Sequence, residues 1–410
     1  MLKRVPVSRL RIGMYVHELC GSWLDHSFWR SRFLIEQESH LARLRGSKVE
    51  WAWIDTDRGL DVEAEAATAT AAMATATAGG RRGGARAPAS EAGAGDPDGG
   101  ARKAYERAQG VRDASGEVVA QMFSDAQLGR RLDVKQAERL ARDVAESIDE
   151  HPDALLSLAR IKRADQYTYM HSVAVAALMT SLARELGQPE ELVRLAGTAG
   201  LLHDIGKVGI PEKILNKAGR LTDEEFEIVK RHPAHGADIL RAEPEIPPEV
   251  LDVCLHHHER IDGQGYPDGL AGEQISVLAR MGAICDVYDA ISSNRPYKKG
   301  WDPAFSLSKM VEWKGHFDEE ILAAFIRALG RYPVGSILSL TSGELAVVVA
   351  QNGDAPDAPV VKVFYSNRLC QYTAGRRIDL SDPDCGCRIV PAIKPVDWAQ
   401  SGLTLPSFAD

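Results

Sequence analysis

GLLHDIGKVGIP, residues 200–211, closes a helical pattern and sets His203 directly beside Asp204. An adjacent imidazole and carboxylate suit a site with two metals. The ring can take one ion, and the carboxylate, with two oxygens, can bridge to a second. Gly206 is a natural helix stop, and Lys207 is a cation able to meet a phosphate. A His-Asp dipeptide is common by chance, so its meaning depends on ligands supplied from elsewhere in the chain.

Histidine is unevenly distributed. The chain has 12, and His171, His203, His232, His235, His256, His257 and His258 are interleaved with helical patterns over residues 171–258. A helical bundle delivers ligands to a shared core in this way. Val250, Val253, Cys254, His257 and His258 fall on one face of a helix, which points the last two inward and leaves His256 off that face, either in solvent or supporting the site from behind. His232 stands beside Pro233 at a helix start and is the preferred ligand there, with His235 the alternative. A single buried His is more often a hydrogen-bonded core residue than a ligand. So many imidazoles next to Asp204, however, need a metal or a counter-charge to offset their desolvation. Asp286 and Asp289 sit three apart on a helix read over 276–293, among Ile284, Cys285, Ala290 and Ile291. A buried carboxylate wants a cation. Asp286 is read as a ligand, with Asp289 supporting the site from behind. The segment ERIDGQGYPDG, residues 259–269, is dense in turn formers. It could be an ordinary surface loop. Its place beside the ligands favours a substrate or partner loop.

Working outward, residues 1–62 read as a small α+β unit, with strands near 5–7, 14–16 and 49–55 and a helix over 37–45. Trp23, Trp29, Trp51 and Trp53, four of the 7 Trp in the chain, are read as bulk for a small core. Residues 63–100 are rich in Ala, Thr, Gly and Arg and cannot bury enough apolar area to offset ordering, so they read as a flexible linker. Residues 101–150 turn helical and read as a connecting helix pair or a dimerising segment, which makes a homodimer one expected assembly. Residues 151–332 are almost wholly helical, with starts at Pro152, Pro233 and Pro248 and a last helix capped by Asp318 and ended by Gly330. Residues 333–410 become β-rich, with strands near 336–340, 345–350 and 360–365.

Composition is that of a globular protein, with 44% hydrophobic and 26% charged residues. The net charge of −9 and pI of about 5.8 argue against a nucleic-acid coat or an anionic-membrane binder. No run reaches the length of a membrane span, and the basic N-terminus lacks the apolar core of a signal peptide. The 6 Cys form no CxxC pair, and the lone CxC at Cys385 and Cys387 is weak evidence for metal. A reduced cytoplasmic protein is expected.

Taken together, YTYMHS (167–172), LLHDIGKVGIP (201–211), KRHPAHG (230–236), HHERIDGQGYP (257–267) and DVYDAISSNRPYK (286–298) resemble the HD-GYP family, a branch of the HD phosphohydrolase superfamily. SWLDHSFW and WIDTDRG resemble the short domain of unknown function found ahead of this module. The resemblance implies a mainly α protein: a helical HD-type bundle, a small α+β N-terminal domain and a small β-rich C-terminal appendage. It also implies a metal-dependent phosphodiesterase that hydrolyses the bacterial second messenger cyclic di-GMP to linear pGpG, or on to GMP, by a hydroxide bridging two metals. The family's metal ligands fall on His171, His203, Asp204, His232, His257, His258 and Asp286, with Asp204 as the bridge. Its phosphate-facing cations fall on Lys207, Arg295 and Lys298, the last two on resemblance alone. Asp204 and Lys207 are the expected catalytic residues. Gly265, Tyr266 and Pro267 are expected to face substrate or a diguanylate cyclase (GGDEF) domain. Two divalent ions, Fe or Mn, are the expected cofactors. Some family members carry a Glu four residues before the first His; here that residue is Tyr167, which favours two metals over three. The rival readings are a phosphohydrolase of another cyclic dinucleotide and a non-catalytic adaptor binding cyclic di-GMP or a partner.

Overall fold

The structure is a computed structural model. It describes residues 2–20, 33–35, 38–45, 51–60, 98–150, 167–217, 219–294, 300–353, 355–367, 369, 371–373 and 375–390. The expected linker before residue 98, the helix start at Pro152, and Trp23, Trp29, Arg295 and Lys298 lie outside these.

The chain forms two compact units. The N-terminal one holds β1 (Leu2–Pro6), β2 (Tyr15–Cys20), β3 (Phe33–Leu34), α1 (Glu38–Arg45) and β4 (Trp51–Asp55). The sheet is antiparallel in the order β1-β4-β2-β3. Val5, Val16, Ala52 and Ile54 from the sheet meet Leu41 and Leu44 from α1 in a core with Val7, Leu10, Met14 and Ile35. Val7 lies in a short 3-10 turn rather than in a strand. Strand β3 is too short to leave a periodic signal in the sequence.

The second unit is mostly helical. It begins with α2 (Asp98–Gln127) and α3 (Val134–Glu150). Val134, Ala137, Leu140, Ala141, Val144 and Ile148 form the buried stripe of α3. These two helices share one core with the helices that follow. The buried carboxylate of Glu243 accepts from the Leu132 N–H at 2.8 Å and ties the α2–α3 turn to the body. Next come α4 (Tyr167–Glu185) and α5 (Glu190–Leu202). A 3-10 turn (Ile205–Gly209), α6 (Glu212–Leu215), α7 (Asp223–Val229), α8 (His232–Arg241) and α9 (Pro248–His256) follow. The bundle closes with α10 (Val277–Ser292), α11 (Pro303–Glu312) and α12 (Glu319–Leu329). Helix α10 is buried on nearly every side, which marks it as the central helix. The Ser276 side chain caps its start and accepts from Ala279 N–H at 3.1 Å. As the sequence predicts, Asp318 caps α12, and Gly330, at φ +77°, ends it.

Two glycines set the spacing around the HD stretch. A Cβ on Gly200 would lie 2.5 Å from Ala176 Cα, so α5 and α4 pack backbone to backbone. A Cβ on Gly206 would lie 2.0 Å from the His232 carbonyl. The sequence reading made Gly206 a helix stop. The helix ends four residues earlier, and Gly206 instead lets the 3-10 turn sit against the start of α8.

The C-terminal part carries β5 (Ile337–Ser339), β6 (Glu344–Ala350), β7 (Val360–Ser366), β8 (Gln371–Tyr372) and β9 (Arg377–Asp379). They form an antiparallel sheet in the order β5-β6-β7-β8, with β9 also paired to β7. A buried carboxylate links this sheet to the bundle. Asp302, buried at 4% exposure, caps α11 with Oδ1 and accepts from the Ile337 N–H with Oδ2 at 2.9 Å. Among the described residues no helix is long and apolar enough to cross a membrane.

Asp302→Ala is expected to cost roughly 2–4 kcal/mol, by removing the cap and leaving the Ile337 N–H without an acceptor. Urea unfolding followed by circular dichroism checks this. An unchanged midpoint would remove Asp302 from the junction.

Candidate metal centre

Five structural elements converge on one buried cluster. Helix α4 brings His171, the end of α5 brings His203 and Asp204, α8 opens with His232, the end of α9 brings His257 and His258, and α10 brings Asp286 and Asp289. His171, His203, Asp204, His232, His257 and Asp289 are 3% exposed or less. Asp286 is buried as well, and His258 is half-buried.

Asp204 lies at the middle. Its Oδ2 faces His203 Nε2 at 3.3 Å and His171 Nε2 at 3.5 Å. Its Oδ1 faces His232 Nε2 at 3.3 Å and His257 Nε2 at 3.8 Å. Asp286 completes the cluster, with Oδ1 2.9 Å from His171 Nε2 and Oδ2 3.8 Å from His258 Nδ1.

The outer ring nitrogens fix the tautomers. His203 Nδ1 lies 2.8 Å from Gly200 O, His232 Nδ1 2.7 Å from Val229 O, and His257 Nδ1 3.0 Å from Cys254 O. A carbonyl only accepts, so each Nδ1 carries the proton and each Nε2 turns a lone pair inward. His171 does the same through Asp289, with Nδ1 2.6 Å from Oδ2. Inward lone pairs then crowd one another: His232 Nε2 and His257 Nε2 are 3.3 Å apart. His203 Nε2 and Asp204 Oδ1 are buried with no hydrogen-bond partner. Only a cation relieves such a set, and His/Asp donors are those that divalent metals accept. Three overlapping groups are close enough to hold one: His171, His203 and Asp286; His203, Asp204 and His257; His232, His257 and His258.

Proton affinities follow the same layout. Burial alone would raise Asp204, but the charges of His203 and Lys207 hold it well below the ordinary carboxylate range. Burial would likewise raise Asp286, and His171, His258 and His203 hold it well below. Burial and the neighbouring His258, His203 and His232 push His257 well down, and burial with His232 pushes His258 to about 3. Both rings are neutral near neutral pH, the form that binds metal. His203 moves the other way. Burial would lower it, and Asp204 and Asp286 outweigh burial and raise it.

The residues singled out in the sequence sort as follows. The structure brings His171, His203, Asp204, His232, His257, His258 and Asp286 together. His235, the alternative to His232, is exposed and outside the cluster. Helix α9 ends at His256, so His257 is its cap and His258 lies beyond the periodic face used to read them. His256 is not free in solvent: it stands between Asp252, 2.7 Å from Nδ1, and Asp268, 3.1 Å from Nε2. The ammonium of Lys207 pairs with Asp204 Oδ2. In the 259–269 loop, Tyr266 stacks on His258 with ring centroids 4.7 Å apart, its peptide bond to Pro267 is cis, and Gly265 lies against the Glu259 backbone.

Glu259 escaped the sequence reading. It is 2% exposed, and its Oε1 accepts from the Asp268 N–H at 2.7 Å and the Gly269 N–H at 3.0 Å, which folds the loop back on itself. Periodicity carries no burial information past a helix end, so the sequence held no sign of this.

Residues 142–321 match the HD domain family, and residues 2–137 match a domain of unknown function, DUF3391. The chain is 52% identical over 375 residues to cyclic di-GMP phosphodiesterase PA4108 of Pseudomonas aeruginosa, covering 90% of this chain and 86% of that one. It is 40% identical over 177 residues to the cyclic di-GMP phosphodiesterase response regulator RpfG of Xanthomonas campestris, covering 42% and 47% of the two chains. It is also 33% identical over 181 residues to 3'3'-cGAMP-specific phosphodiesterase 1 of Vibrio cholerae, covering 44% and 42%. With nearly its whole length aligned to such a relative and a clustered His–Asp centre of the matching kind, the chain belongs to the HD-GYP family, with a DUF3391 domain ahead of its HD domain.

Proposed function

We propose that this protein is a metal-dependent phosphodiesterase that cleaves cyclic di-GMP. The observation that carries the reading is Asp204, whose two oxygens face two different pairs of imidazoles. One divalent ion would be held by His171, His203, Asp204 and Asp286, and a second by Asp204, His232, His257 and His258. Mixed imidazole and carboxylate donors suit Fe or Mn. Bound there, the ions would polarise the phosphoryl oxygens and activate water at neutral pH.

The chain's own groups do the rest. Asp204 is shared by both halves of the cluster and keeps them together. Asp289 holds the His171 ring and its tautomer through the Nδ1–H. Lys207, part-exposed beside Asp204, offers an ammonium to a substrate phosphate, with Arg295 and Lys298 assigned the same part. Gly265, Tyr266 and Pro267 line the substrate side of His258. The buried setting strengthens each of these charge interactions relative to water. An adaptor role has no use for so many desolvated donors, which favours the enzyme.

Anaerobically purified protein is expected to turn over cyclic di-GMP with Fe or Mn bound, and Asp204→Ala to lose metal and activity together. Full metal content and turnover in that variant would defeat the mechanism. Asp289→Asn is expected to lower metal affinity or activity by about 10–100-fold, measured by competition with a chelator. Metal uptake is expected to weaken as pH falls through the His203 range. His203 takes up protons above the ordinary 6.5, and each bound proton must leave before Nε2 can donate. Calorimetry in buffers of different ionisation enthalpy would reveal this as proton release; uptake without release would contradict it. With Tyr167 in place of Glu, the expected end product is the linear dinucleotide, read by chromatography against GMP.

A further inference from the structure

The cluster meets phosphates, and every cyclic dinucleotide presents the same ones. Choice between bases therefore needs groups off the cluster. Lys230, just past the end of α7, supplies one. Its Nζ lies 5.3 Å from the ring centroid of Phe226 and 6.0 Å from that of Tyr266, and Tyr266 in turn stacks on His258. Lys230, Phe226 and Tyr266 are each partly exposed, so this group forms a solvent-facing rim one ring away from the cluster.

Lys230 differs from Lys207 and Arg260 in how it is held. Lys207 is engaged with Asp204, a 1% exposed carboxylate, and Arg260 grips Asp262 with two hydrogen bonds at 3.0 and 2.6 Å. Lys230 pairs with Glu227 at 2.6 Å, but that carboxylate is 62% exposed. Water screens such a pair, and a ligand can take the ammonium from it at little cost.

We infer that Lys230, with the Tyr266 and Phe226 rings, recognises guanine and gives the enzyme its preference among cyclic dinucleotides. This rests on the reading of the site as a cyclic dinucleotide phosphodiesterase. Guanine presents two acceptors, O6 and N7, on one edge. Adenine has an amino donor where guanine has O6. An ammonium has three donors and no acceptor, so it meets two acceptors on the first edge but only N7, beside a repelling amino group, on the second. The aromatic rings supply stacking surface, which any base accepts. Stacking retains a base and Lys230 selects it.

The test compares kcat/KM of the full-length, metal-loaded wild type with Lys230→Met, which keeps the apolar stem over Phe226, and Lys230→Arg, which can still reach O6 and N7. Three substrates are used: cyclic di-GMP, cyclic di-AMP, and bis(p-nitrophenyl) phosphate, a diester without bases. Lys230→Met is expected to lose about 10–100-fold on cyclic di-GMP and less on cyclic di-AMP, with the base-free diester unaffected and Lys230→Arg restoring the preference. An equal loss on both dinucleotides would overturn the inference in favour of a phosphate contact. No loss on either, or a matching loss on the base-free diester, would overturn it too. Wild type that cleaves the base-free diester but not cyclic di-GMP would instead bring down the functional reading itself.

Discussion

The structure depends on one carboxylate. Asp204 is 1% exposed and surrounded by four imidazoles, a position that desolvation alone would forbid to a charged group. Its charge survives there because the Lys207 ammonium and the charge of His203 lie against it. Helices α4, α5, α8 and α9 and the 3-10 turn all bring a polar atom to this point, and each would otherwise bury that atom at a loss. The fold is in this sense built around an electrostatic debt that a divalent ion settles.

Close packing delivers the groups. Gly200 lets α5 lie directly on α4, so His203 and His171 come to ring centroids 5.2 Å apart. Gly206 does the same between the 3-10 turn and α8, which carries His232. The central helix α10 then supplies Asp286 to the cluster and Asp289 to the ring behind it. Helices α2 and α3 complete the same core, although all of α2 and the start of α3 fall in the region that matches DUF3391.

Much of this could be read from the chain. Residue chemistry and helical spacing together gathered His203, Asp204, His232, His257, His258 and Asp286 as candidates, although the helical face used for His257 and His258 ends at His256. What periodicity cannot state is the identity of the neighbour. That is why Gly206 read as a helix stop rather than as a contact with the His232 carbonyl, and why 101–150 read as a connector although its apolar stripe packs into the main core. Beyond a helix end the signal fails altogether, which hid the burial of Glu259 and the clip formed by His256 with Asp252 and Asp268. Arg295 and Lys298 had no physical signal in the sequence, and they lie outside the described residues.

Three of the rings, His203, His232 and His257, are anchored to carbonyls of their own or the preceding helical turn, three or four residues back. Orientation is thus a local property of each segment, inherited as the segment forms and not negotiated when an ion arrives. Such a cradle is indifferent to the order in which its helices dock. The rings are thus set by the chain before any ion is bound, and the donors they present are those of imidazole and carboxylate.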